Sequence, residues 1–164
     1  MMYATVQDMS DRFGEMEMIQ LTDPEIVSVQ VAKAQRAIDD AQAFTDAFVG
    51  RVYLLPLLGC SKPTPMSGDV GAITYVPPPQ LTRIVCDVAR YYLYTALAPE
   101  HEVYLRYKAA ERELQAIANG KAVLTCPWGG VPGLLVAGDA PGDAEVFYQF
   151  SPRQCTDDNL RGFA

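Results

Sequence analysis

The segment from Pro77 to Leu124 constrains this chain most, because two amphipathic helical patterns follow one another there with a single proline, Pro99, between them. The first sets Leu81, Ile84, Val85, Val88, Tyr91, Tyr92 and Thr95 at steps of three and four, and the second sets Val103, Tyr107, Ala110, Leu114 and Ile117 the same way. Charged residues occupy the positions between. The pattern predicts a helical hairpin whose apolar faces pack, and neither helix offers a group that could act on a substrate. Such a chain is expected to work through its surfaces.

Other elements can be read around that hairpin. Thr5 with Asp8 three residues on is a capping-box start for a short first helix, and Gly14 after Phe13 is its stop. After Pro24 a longer helix, from about Val29 to Val49, carries Val31, Ala34, Ile38, Ala41, Phe44 and Phe48 on one stripe and ends at Gly50, where a left-handed cap fits. Prolines and glycines crowd 58–79, which reads as a surface loop with one strand-like piece at Ala72–Val76. The prolines Pro77, Pro78 and Pro79 lead the hairpin's first helix, which Pro99 ends. Glu100 and Glu102 open the last helix, and Asn119-Gly120 closes it. Beyond it, Leu134–Ala137 and the alternating Glu145–Phe150 are candidate strands or extended arms, joined across a turn at Gly138–Gly142. The expected fold is mainly α: an antiparallel bundle of about four helices over 1–124, with extended loops and a C-terminal strand or arm over 125–164.

Composition removes several functional classes. A chain of 164 residues is one domain of ordinary size. Its apolar runs fall far short of the ~20 residues a membrane span needs, and Met1–Ser10 does not have the basic start and apolar core of a signal peptide, so no membrane partner and no export are expected. The net charge is −7, and residues 1–50 hold nine acids against three bases. Phosphate binding needs clustered Lys and Arg, so tight duplex binding is not expected, whereas a wall that DNA slides past is compatible with acid. Cys60, Cys86, Cys126 and Cys155 stand far apart with no metal-ligand spacing, and four free thiols in a reducing compartment are expected.

Groups that could do chemistry each have a plainer role. His101 lies between Glu100 and Glu102 at a helix start, and adjacent helical residues do not face one another, so it reads as a solvated turn histidine. The pairs Asp39-Asp40 and Asp157-Asp158 carry no metal-loop pattern. Gly129-Gly130 with Gly133 is followed by no Lys-Ser or Lys-Thr, so it makes a poor phosphate loop. Tyr91, Tyr92, Tyr94, Tyr104 and Tyr107 could stack bases, but on paired helices they fit core and interface positions with wet hydroxyls better. No catalytic, cofactor-binding or metal-ligating residue is assigned, and no enzyme activity is expected.

Several motifs, in order along the chain, carry a resemblance: Met2-Tyr3-Ala4-Thr5 with Asp8 and Arg12-Phe13-Gly14; Ala37-Ile38-Asp39-Asp40-Ala41; Tyr53–Leu57; and Ile84-Val85-Cys86-Asp87-Val88-Ala89-Arg90-Tyr91. Arg106–Ala110, Phe150-Ser151 and Asp158–Phe163 continue it. The chain resembles the small neck proteins of Mu-like bacteriophages, which are similar to head-tail connectors of the helical adaptor type. The loop 58–76 and the stretch 127–142 match that pattern least. The resemblance implies a virion protein of the neck, made in the bacterial cytoplasm. It further implies a homo-oligomeric ring of twelve copies beneath the portal protein, extending the DNA channel towards a downstream neck or tail protein. Stopper and tail-terminator roles use similar subunits and remain alternatives, and a small hydrolase or nuclease is the enzyme alternative.

Two sets of residues follow as candidate sites. Phe147, Phe150 and Leu160 with Phe163 are apolar positions near the end of the chain, and Arg153 and Arg161 lie among them, the composition of an arm that docks on a portal or neighbouring subunit. Asp39, Asp40 and Asp46 are candidate channel-facing acids that would repel passing DNA.

Overall fold

The computed structural model describes residues 1–23, 25–62, 74–95 and 97–136. These form α1 (Val6–Phe13), α2 (Glu15–Thr22), α3 (Val31–Val49), β1 (Cys60–Lys62), β2 (Thr74–Val76), α4 (Pro79–Leu93) and α5 (Glu102–Ala118). The fold is mainly α, with one small antiparallel sheet in which Cys60 faces Val76 and Lys62 faces Thr74.

The predicted hairpin is present, and its contacts fix its direction. Gln80 and Arg83 near the start of α4 reach Glu113 late in α5, while Tyr91 near the end of α4 stacks on Tyr107. Partners descend along one helix as they ascend along the other, so α4 and α5 are antiparallel. Leu81, Ile84, Val85 and Val88 from α4 are buried with Ala110, Leu114 and Ile117 from α5. On α3, Ala34, Ala37, Ile38 and Ala41 line the core side. The small alanines let the larger aliphatic side chains of α4 come close, and α3 packs most extensively on α4. Full burial of each large aliphatic side chain stabilises the fold by about 1.5–3 kcal/mol.

α1 begins as predicted: the Thr5 side chain accepts from Asp8 N–H, and the Asp8 carboxylate accepts from Thr5 N–H at 2.7 Å. The residues before it are tied to the body. Tyr3 N–H donates to Gln42, Gln42 donates back to the Met1 carbonyl, and Thr82 Oγ1 donates to the Tyr3 carbonyl at 2.8 Å.

Several expectations need correction. α2 was not anticipated, so the bundle has five helices among the described residues. Gly14 stops α1 but also starts α2, adopting φ +91° and ψ 145°, and α2 is held by partners distant in sequence: Arg90 donates to Glu17 at 2.7 Å and Lys33 Nζ caps the Leu21 carbonyl at 2.8 Å. Val31 does not belong to the buried stripe, because the first turn of α3 overhangs the packed body and leaves Val31, Ala32 and Lys33 exposed. Gly50 is right-handed, at φ −64°, not a left-handed cap; glycine fits there because a Cβ would meet the Asp46 carbonyl at 2.9 Å and Leu55 at 3.0 Å. α4 ends at Leu93, short of Pro99 and without Thr95, because Tyr94 turns extended and sends its hydroxyl to Glu17 at 3.1 Å.

The thiol expectation is overturned as well. Cys60 and Cys126, 66 positions apart in sequence, form a disulfide with Cα atoms 5.4 Å apart. Spacing along the chain hid this pairing. Residues 124–136 fold back on the segment after α3: Leu124 N–H donates to the Tyr53 hydroxyl at 2.9 Å, Leu54 N–H to Leu134 O at 2.8 Å, Gly59 N–H to Pro132 O at 2.8 Å and Val136 N–H to Val52 O at 2.8 Å. This return places Cys126 against β1. Leu134–Val136 therefore pairs with 52–54 through a bridge between Tyr53 and Leu135. The second candidate strand, Glu145–Phe150, Cys155 and the Gly138–Gly142 turn lie outside the described residues.

Candidate interaction surfaces

Three features of the surface could engage other molecules: an aromatic cluster on the helices, a set of charged groups between helices, and an apolar groove at one end of the bundle.

The aromatic cluster spans α3, α4 and α5. Tyr91 and Tyr107 stack with centroids 4.2 Å apart and rings 14° from parallel, and Tyr92, Tyr104 and Phe44 surround them. Lys108 lies 5.6 Å from the Tyr107 centroid and is tethered to Glu111 at 2.7 Å. Burial pushes the hydroxyls of Tyr92 and Tyr107 above the ordinary phenol range, keeping them protonated. The rings bury their faces against one another and leave their edges to solvent, so the cluster is a seam between helices with a wet rim, as the helical spacing predicts.

Two ion pairs among the described residues join helices. Arg90 bridges to Glu17 at 2.7 Å and lies 4.6 Å from the Phe13 ring centroid, tying α4 to α2 and α1. Arg83 pairs with Glu113 across the hairpin and reaches Asp87 at 3.8 Å. Asp87 is buried and its Oδ1 has no partner among the described residues; burial pushes its carboxyl upward against the pull of Arg83, Arg106, Arg12 and Arg90. Cys86 beside it is buried, which raises its thiol to about 11 and makes it a poor nucleophile. His101 caps α5, its Nδ1 accepting from Val103 N–H at 3.2 Å. The Gly129-Gly130 pair makes a tight turn with both φ angles positive, in which Cys126 N–H donates to Gly130 O at 3.1 Å, so these glycines serve a reversal of the chain. Among the described residues no group of three or more His, Cys, Asp or Glu gathers as a metal site.

The candidate channel acids do not share one situation. Asp39 and Asp40 are exposed on α3, with Asp39 accepting from Gln35 at 2.9 Å. Asp46 is half-buried and accepts a 2.6 Å hydrogen bond from the Tyr3 hydroxyl, whose own pKa is raised by burial and by that carboxylate. It fastens the N-terminal segment to α3. The arm residues Phe147, Phe150, Arg153, Leu160, Arg161 and Phe163 lie outside the described residues.

Two surface features escaped sequence reasoning. Between α2 and α3 the described residues are cross-linked by hydrogen bonds: the Asp23 carboxylate accepts from the N–H groups of Glu25, Val27 and Ser28 at 3.0–3.2 Å, which holds its pKa below the ordinary carboxylate value, and Thr22 Oγ1 accepts from Gln30 N–H at 3.0 Å. That loop displays Ile26 and Val27 to solvent. The second feature is a groove of about 670 Å³ beside the C-terminal ends of α3 and α5, walled by Val52, Ala122, Val123, Val131 and Leu135 with Arg51 at its edge. Both depend on where the chain returns, which local periodicity does not carry.

Residues 3–131 match the family described as Bacteriophage Mu, Gp36. The chain belongs to that family. It is also 30% identical over 123 residues to "Gene product J" of Escherichia phage Mu, a match that covers 74% of each chain. The matched region of the Gp36-family chain takes in the five helices and two strands of its described residues and the disulfide, and stops five residues before the end of the described part. The resemblance to a Mu-like phage protein read from the sequence is thus supported, and the chain is a bacteriophage protein.

Proposed function

We propose that this Gp36-family protein is a structural subunit of the phage neck, a head-tail connector that forms a ring below the portal, continues the DNA channel and gives the tail its platform. Membership of a phage family over residues 3–131 is the observation that carries the reading, joined to the likeness of the motifs to neck proteins. The chemistry of the side chains is consistent with it: the histidine caps a helix, the buried thiol is poorly ionised, and Arg83 and Arg90 spend their charge between helices.

In this reading the ring is built from copies of the chain alone, of which twelve would match a portal of that symmetry, and no cofactor takes part. Asp39 and Asp40, exposed on α3, supply negative charge to the channel wall and discourage DNA from sticking as it passes. Phe147 to Phe163 docks the subunit on the portal. The experiment is electron microscopy of particles from a phage unable to make the protein. DNA-filled heads and free tails that fail to join are expected, with joining restored when the protein is supplied. Complete, infectious particles formed without it would remove the proposal.

A further inference from the structure

We infer that the Ile26-Val27-Val31 projection of one copy seats in the groove between Val52, Val123 and Val131 of a second copy, giving a head-to-tail contact. The inference deepens the ring reading, on which it rests for closure of successive contacts.

The projection is apolar, exposed and hydrogen-bonded at its base to Asp23. Val27 is 74% exposed, Ile26 57% and Val31 61%. Isolated exposed aliphatic residues are ordinary, but these three cluster where the loop enters α3. Ile26 stands at φ +56°, an unfavourable conformation for a β-branched residue, and the three hydrogen bonds to Asp23 keep the loop in the shape that presents it. A projection ordered before contact loses less entropy on docking.

The groove is its counterpart in shape and charge. Val123 is 57% exposed and Val131 50%, in an apolar concavity large enough for several aliphatic side chains. Projection and groove lie at opposite ends of α3, a helix of 19 residues and so about 28 Å long. One copy therefore cannot close the contact on itself across that rigid rod, and two different patches meeting between copies make a heterologous interface, the type that propagates or closes into a ring. Charge agrees with a like chain as occupant. Glu25 flanks the projection, whereas Arg51 and Lys121 flank the groove, and among the described residues none of the three has an ion-pair partner. Docking brings acid to base at the rim, where it guides orientation more than it adds affinity.

Sedimentation velocity of the full-length protein tests this. The wild type should grow in size with concentration, while Val27→Asp and Val131→Asp should each remain monomeric. An equimolar mixture of the two variants should give a 1:1 dimer and nothing larger, because one intact projection and one intact groove remain. That recovery also shows that both variants fold. Glu25→Arg and Arg51→Glu should each weaken association, and the doubly reversed protein should regain it. A wild type monomeric at every concentration, a Val27→Asp variant that assembles normally, or a mixture that fails to pair would overturn the inference. So would loss of association on removing residues 137–164 while Val27→Asp still assembles, since the occupant would then be that segment. A mixed dimer formed by a protein missing from phage particles would keep this contact and remove the neck reading. Normal head-tail joining in phage carrying Val27→Asp would remove the contact and leave the neck reading in place.

Discussion

Asp87 holds one carboxylate oxygen in the protein interior without a donor among the described residues, beside arginines that only partly compensate. Its folded-state pKa lies above the ordinary 3.8, so the native protein keeps this proton to higher pH than the unfolded chain does. Native stability from this group is therefore greatest below that ordinary value and falls as pH rises through the folded one. Asp87→Asn should gain on the wild type as pH increases from about 4, levelling off once the wild-type carboxyl is fully ionised. Urea unfolding of both proteins across that range measures the difference, and parallel profiles would show that the carboxyl titrates normally. Gly14 gives a second residue-scale test. At φ +91° and ψ 145° it sits where side chains are strongly disfavoured, yet a Cβ there would touch nothing within 4 Å. Gly14→Ala should thus cost about 1–3 kcal/mol of stability through the backbone alone, read from the same unfolding curves.

At the scale of elements, what the sequence discloses depends on whether the deciding interactions are local. The capping box of α1, the proline start of α4 and the stop at Gly120 are written in neighbouring residues, and all three are found. Helix α2 was hidden because it is short and its anchors, Arg90 and Lys33, come from other helices. Acids at Glu15 and Glu17 in its first turn were the one local sign. Strand β1 was hidden because its partner is not adjacent in sequence, and the disulfide because its cysteines stand 66 positions apart. That bridge closes a long loop, so Cys126→Ser should lower the unfolding free energy by about 2–4 kcal/mol. Denaturant unfolding with and without reductant checks it: the wild type should respond to reductant and the variant should be nearly indifferent. Equal stability of the two oxidised proteins would show that the bridge contributes nothing.

For the whole molecule, the hairpin and its aromatic seam were legible because their periodicity is strong, whereas the projection and groove required knowledge of how distant segments meet. Val27 gives no hint in sequence that Asp23 will hold it outward, and Val123 and Val131 gain a common wall only when 131–136 returns to 52–54. The acids of α3 show the same limit, since Asp39, Asp40 and Asp46 are alike in sequence but Tyr3 engages the last. The proposed docking arm makes a prediction at this scale. Removing residues 157–164 should leave the helical content and thermal unfolding of the subunit unchanged while abolishing its capture by portal rings in a pull-down. Undiminished capture would exclude those residues from the contact.

The Cys60–Cys126 bridge also determines how the subunit responds to force. It gathers β1, β2, α4 and α5 inside one covalent loop. A tug applied to the chain beyond residue 126 passes through sulfur to Cys60 and on towards α3, bypassing the two helices enclosed between. A backbone cut anywhere inside that loop likewise leaves a single covalent molecule until it is reduced, so the part of the chain most devoted to packing is shielded both from traction and from loss after nicking.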